Sequence, residues 1–245
     1  MVPKLGLQLY TLRQQLAENI EETLEKVALF GYEGVELAGL QNQKPAYIAQ
    51  LLASQNLKAV AMHCDVLSED GLKRSLDESD ALNCEHLICP WCTPITFESE
   101  KGIAQLAEKL NRANQIIVTR GKSLHYHNHD FEFQFIKGEN SYELFTSQLD
   151  ASIYLEIDLY LASVGRTNPI KLLQNHVDRI IMLHIKDGAI SPSNPNTAIG
   201  EGTMDYPTLF TAIPSNVEWL FVELENCATD IVEAVRKSVR YCNNL

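Results

Sequence analysis

Along the chain, hydrophobic and polar positions alternate with period two in short stretches, and between these they recur every three or four residues. Lys4–Leu12 sets Leu5, Leu7 and Leu9 against Gly6, Gln8 and Tyr10, the pattern of a strand with one polar face. A helix follows: Asn19 with Glu22 makes a capping box, Ile20, Leu24 and Val27 hold helical spacing, and Gly31 supplies the stop. The alternation then repeats. Gly34–Gly39 predicts a second strand carrying Glu36, and Pro45–Asn56 a helix with Pro45 in its first turn. Lys58–Asp65 is a third strand, and Ser68–Leu82 a helix capped by Ser68. Glu85–Trp91 and the helix Glu100–Thr119 come next, then the strand beginning at Ser123, the short helix Tyr142–Leu149 and the strand Ile153–Asp158. The helix Pro169–His176, the strands Ile180–Asp187 and Trp219–Glu225, and the helix Thr229–Asn243 complete the series.

Eight strands, each followed by a helix or a helical candidate and joined by short connections, predict an α/β fold, a (β/α)8 TIM barrel, in a single domain over residues 1–245. The sequence shows no internal repeat, low-complexity tract or Pro/Gly linker that would mark a second domain. The exception to short connections is Gly188–Tyr206, rich in Ser, Asn and Pro, which follows strand seven and so is expected over the C-terminal mouth.

Composition narrows the functional classes. Hydrophobic residues make up 45% and charged residues 21%, an ordinary globular balance. With 32 acidic against 20 basic residues, the net charge of −12 repels phosphate backbones, so nucleic acid is not an expected partner. No apolar run is long enough to span a bilayer, and Met1 leads straight into a strand-like segment, so no membrane association is expected and the location is read as cytoplasmic. Six scattered cysteines suit reduced thiols, and Cys89–Cys92 lacks the second pair that a zinc site would need.

The chemistry lies in polar residues on inward faces. His125, His127 and His129 alternate on the fifth strand and point one way, with Asp130 and Glu132 just beyond. A barrel interior would otherwise carry Val, Ile or Leu, because burying an unpartnered polar group costs about 2–7 kcal/mol on transfer scales. Glu132, Asp158, His184 and Glu223 stand near the ends of strands five to eight, about one βα unit apart, and strand ends converge on one mouth. Parity supports the grouping: Tyr154, Glu156 and Asp158 share a face, as do Met182, His184 and Lys186, and Phe221, Glu223 and Glu225. Three carboxylates and an imidazole form a hard donor set for Mn²⁺, Mg²⁺, Co²⁺ or Zn²⁺.

The segments Tyr126–Phe133 (YHNHDFEF), Leu155–Tyr160 (LEIDLY), His184–Asp187 (HIKD), Gly200–Tyr206 (GEGTMDY) and Gly31–Leu37 (GYEGVEL) resemble those of the sugar phosphate isomerase/epimerase family of xylose isomerase-like barrels. That resemblance spans essentially the whole chain. It implies a metal-dependent carbohydrate isomerase or epimerase working by proton abstraction next to a carbonyl, with Glu132, Asp158, His184 and Glu223 as metal ligands. It also implies Glu223 as catalytic base with Glu132 or His127 opposite, and His63, His129 and Lys186 as residues contacting a small carbohydrate substrate; Lys186 could equally pair with Glu156 or Asp187. Epimerases of the family carry the first ligand inside strand five, where this chain has His127 or His129; either Glu132 reaches back or a histidine replaces it. A hydro-lyase like the inosose or dehydroshikimate dehydratases, and a non-catalytic sugar-binding member, are the alternatives on the same site. An abasic-site endonuclease would need more His ligands and a basic surface. Oligomeric state is not legible.

Overall fold

The computed structural model describes residues 3–191 and 193–244. Eight parallel strands close into a barrel in chain order: β1 Lys4–Gln8, β2 Gly34–Ala38, β3 Lys58–His63, β4 His86–Cys89, β5 Ser123–His127, β6 Tyr154–Asp158, β7 Met182–Ile185 and β8 Trp219–Val222. β8 returns to β1 through the register Lys4↔Trp219 to Leu7↔Val222, so the sheet has no open edge. The longer helices around it are α1 Arg13–Glu18, α2 Ile20–Phe30, α3 Pro45–Ser54, α4 Glu69–Ala81, α5 Glu100–Thr119, α6 Ser141–Thr146, α7 Leu159–Val164, α8 Pro169–Asn175, α9 Tyr206–Ala212 and α10 Ile231–Cys242.

Local chemistry sets these boundaries. Asn19 Oδ1 accepts from the Glu22 amide at 3.1 Å to open α2, and Gly31, at φ 100°, closes it in the left-handed region. The first strand ends earlier than the alternation predicts. Gln8 Oε1 accepts from the Tyr10 amide at 2.9 Å, which turns Leu9–Leu12 into a 3₁₀ segment. β5 likewise stops at His127, because the Asn128 side chain leaves the ladder to accept from the Asp158 amide at 3.0 Å. His129 therefore lies beyond the strand and outside its alternation.

Two apolar layers result. The larger lies between strands and helices; the smaller, formed by Val60, Ala61, Ile88, Met182, Trp219 and Phe221, plugs the N-terminal end of the barrel. Trp219 and Phe221 stack at 6.0 Å, and the space for them comes from glycines. A Cβ on Gly6 would stand 2.3 Å from the Phe221 ring, and one on Gly34 would stand 2.7 Å from Val60. This plug forms the floor beneath the polar interior.

Candidate active site

Above the floor the inward positions turn polar. On the β4–β5 side polar groups start lower still: His86, two residues before the floor residue Ile88, has its Nδ1 2.7 Å from Ser123 Oγ and 3.2 Å from His125 Nε2. Burial pushes both imidazoles below their ordinary range, and the neighbouring ring lowers His125 further.

The middle of the barrel holds Gln8, Glu36, His63, His127, Glu156 and His184, all buried except His63 at its edge. Gln8 Nε2 donates to Glu36 Oε2 at 2.6 Å. The same carboxylate oxygen lies 2.6 Å from His184 Nε2 and 3.1 Å from His63 Nε2. Glu156 Oε2 stands 3.2 Å from His63 Nε2, 3.3 Å from His184 Nε2 and 3.6 Å from His127 Nδ1. Burial opposes charge throughout this layer, yet the carboxylates outweigh it at two histidines. His63, lowered by burial but raised by Glu36 and Glu156, reaches about 9. His184 is likewise carried well above its usual range by Glu156 and Glu36. His127 has no such carboxylate bond; burial and the fields of His184 and His63 hold it neutral. Of the two carboxyls, burial raises both, but the histidines take Glu36 well below its normal value, whereas Glu156 is raised further by Glu36 itself.

Asp158, Lys186, Glu223 and Glu225 form the rim of the mouth. Lys186 Nζ is 2.6 Å from Glu225, 2.8 Å from Glu223 and 3.1 Å from Asp158 Oδ2. Asp158 is fixed from behind, its Oδ1 accepting the Leu161 amide at 2.8 Å as N-cap of α7. Its Oδ2 has no partner among the described residues beyond the Lys186 ammonium. Burial raises Asp158 despite Lys186, while at Glu223 the same burial is overcome by Lys186 and His184, which hold it well below the usual range. A cavity of about 160 Å³ opens above Lys186, lined by His129, Asp130, Tyr160, Asn196 and Glu225 among others.

Four donors meet at the mouth: His127, Asp158, His184 and Glu223 offer atoms within 4.8 Å of one another. Three are ligands expected from the sequence. Glu132, expected as the fourth, is not in this group: its carboxylate accepts from Tyr126 Oη and from the His129 amide, both at 2.9 Å, and so is tied into the layer outside the barrel. Tyr126 has the opposite parity to His125 and His127, which is why a residue bound to it sits away from the axis. Two carboxylates and two imidazoles, with His127 Nδ1 lacking a hydrogen-bond partner among the described residues and Asp158 Oδ2 held only by the Lys186 ammonium, fit a divalent cation. Of the residues expected to touch substrate, His129 and Lys186 line the mouth cavity, while His63 faces Glu36 and Glu156 deeper in.

A profile of the xylose isomerase-like TIM barrel family matches residues 24–245. The chain belongs to that family. This xylose isomerase-like barrel is similar to the solved sugar phosphate isomerase/epimerase from Parabacteroides distasonis ATCC 8503, with 25% identity, a TM-score of 0.85, and coverage of 98% of this chain and 97% of the other. A 3-keto-D-glucoside 4-epimerase from E. coli has the same fold at 16% identity, with a TM-score of 0.72 and coverage of 99% and 100%. So does a probable 3-DHS dehydratase from Bacillus anthracis at 11% identity, with a TM-score of 0.77 and coverage of 98% and 99%. No curated protein matches the chain.

The reading of strand ends overlooked Glu36 and Glu156 as site residues. Both carried a signal. Glu156 shares parity with Asp158, and Glu36 is a lone carboxylate between Val35 and Leu37, with inward small residues Gly34 and Ala38 on its own face. In this xylose isomerase-like barrel the loop after β7 is also organised by a residue of the HIKD segment. Asp187 accepts from the amides of Gly188, Gly200, Gly202 and Met204 at 2.8–3.1 Å, which folds GEGTMDY against the mouth. The pair Cys89 and Cys92 is buried, and burial pushes the Cys92 thiol up to about 11.

Proposed function

We propose that this protein is a divalent-metal-dependent isomerase or epimerase of a small carbohydrate ketone, with His127, Asp158, His184 and Glu223 holding the cation. The observation that carries this reading is the meeting of four donors from β5 to β8 at the mouth, beneath a cavity of about 160 Å³. When bound, the cation supplies Lewis acidity toward a substrate carbonyl.

The chain's own residues divide the remaining work. Glu223, kept anionic by Lys186 and His184 against its burial, takes the proton from the carbon beside the carbonyl. Lys186, whose three donors go to Asp158, Glu223 and Glu225 at the cavity floor, sets its positive charge beside the oxygen on which charge develops. The second proton group must face the substrate from the other side. Glu132 is bound to Tyr126, and His127 is among the residues that hold the cation. His129, in the cavity wall on the β5 side, is therefore assigned the return of the proton. Asn196 and Tyr160 line the same cavity, fixed in place by the chain itself: Asn196 donates to Asp187 O and accepts from the Glu225 amide, and Tyr160 donates to Ala189 O.

The test is incubation of the metal-loaded protein with ketoses, inososes and keto-glycosides in D₂O, followed by NMR and mass spectrometry. Deuterium at the carbon beside the carbonyl with no loss of water supports the reading. Loss of water transfers the site to the hydro-lyases, and no exchange with any compound removes the proposal.

A further inference from the structure

The middle layer contains a second donor set, which shares His127 and His184 with the one at the mouth. His63, His127, Glu156 and His184 offer ligand atoms within 4.8 Å of one another, one level deeper than Asp158 and Glu223. Around Glu156 Oε2 the three imidazole nitrogens stand at 3.2, 3.3 and 3.6 Å. Atoms held about 2.0–2.1 Å from a tetrahedral cation lie about 3.3–3.4 Å apart, so these separations are close to the edges of such a coordination shell. The set is also poorly satisfied: His127 Nδ1 and Glu156 Oε1 are buried with no hydrogen-bond partner among the described residues.

We propose that the barrel has two alternative cation positions. The outer one is formed by His127, Asp158, His184 and Glu223 and the inner one by His63, His127, Glu156 and His184, so the two share both His127 and His184. Three imidazoles and a single carboxylate favour a borderline cation such as Zn²⁺ or Co²⁺, whereas the carboxylate-rich mouth suits Mn²⁺ or Mg²⁺. His184 makes the two exclusive. Its Nδ1 faces Glu223 at 2.9 Å, and its Nε2 faces the inner layer, 2.6 Å from Glu36 and 3.3 Å from Glu156. A neutral imidazole gives a lone pair from one nitrogen and keeps a proton on the other. A cation on Nδ1 therefore leaves Nε2–H donating to Glu36, and a cation on Nε2 leaves Nδ1–H donating to Glu223. Both hydrogen bonds are already built. The ion's own preference decides its depth, and depth decides whether it can reach a substrate in the cavity.

The full chain, freed of metal with a chelator, tests this with Co²⁺, Zn²⁺ and Mn²⁺ alone. Wild type and Asp158→Asn should each bind one Co²⁺ with the intense visible absorption of four-coordinate cobalt. His63→Ala should lose that absorption, and its Zn²⁺ affinity should fall at least about tenfold, the lower end of what loss of even an outer partner costs. Its Mn²⁺ affinity, read by electron paramagnetic resonance, should stay within about twofold, because His63 is not part of the outer set. A wild-type cobalt spectrum and zinc affinity in His63→Ala overturns the inner position, as does loss of zinc together with manganese in Asp158→Asn. Two ions bound at once overturns the exclusivity. Circular dichroism checks folding, and Glu156→Gln is read in the same way should His63→Ala not fold. Turnover is not a readout, so an unsuccessful substrate search leaves this result standing.

Discussion

The interior of this barrel is built twice from the same strands. At the N-terminal end Ile88, Met182, Trp219 and Phe221 fill it as an apolar plug, with Gly6 and Gly34 making room. Two residues further along β7 and β8, the same inward parity brings His184 and Glu223, and the filling becomes carboxylates, imidazoles and a lysine. Backbone geometry is common to both halves. What differs is how each group is satisfied: the lower half by contact, the upper half by pairing that leaves His127 Nδ1 and Glu156 Oε1 without a hydrogen-bond partner among the described residues and Asp158 Oδ2 with only its ion pair to Lys186. The lesson is that a rigid, dry floor lets an under-satisfied layer persist above it.

Substitutions in the two halves should therefore separate activity from stability. Glu223→Gln removes the proposed base but keeps the volume, so turnover of any substrate found should fall by about 10²–10⁴-fold. Thermal melting should barely change, and a large drop in melting temperature would mean the carboxylate is structural. Phe221→Ala should do the reverse, costing about 3–5 kcal/mol by urea denaturation as its ring leaves a cavity against Gly6. Cation binding to the folded fraction should persist. Glu36→Gln acts at the boundary: losing the carboxylate opposite His184 Nε2 should weaken Mn²⁺ binding by about 10–100-fold in calorimetry, and unchanged affinity would cut the link between the layers.

The smallest effect expected is in pH dependence. His86 and His125 have folded pKa values below their unfolded ones, so the unfolded chain takes up protons first as the medium is acidified. Their contribution is present above about pH 6.5, the unfolded histidine value, and is lost as pH falls below it through the depressed folded values. Melting temperature should decline from pH 7 to pH 5, and His125→Gln should flatten that decline; a parallel curve would refute the assignment.

Much of this was legible in the sequence, because period-two alternation and helix caps act over a few residues. All eight strands and the helices from Asn19, Ser68 and Glu100 followed from such signals. The boundaries that escaped were set by side chains turning back on the backbone, Gln8 ending β1 and Asn128 ending β5. The short helices α1, α7 and α9 were missed, since each spans only six or seven residues, too short for a clear period. In the site, parity identified Asp158, His184, Lys186 and Glu223 as inward. It failed for Glu132 because no alternation rule holds past the last ladder residue. Glu36 and Glu156 become partners of His184 only when distant strands close into a ring, a relation that no local window contains.

Asp187 has a consequence for what the mouth can recognise. Barrels often hold a phosphoryl group in backbone amides of the loops after their last strands. Here the amides of Gly188, Gly200, Gly202 and Met204 already surround an anion of the chain's own. The segment is thereby pre-shaped without any ligand, and a visiting phosphate would first have to evict a resident carboxylate.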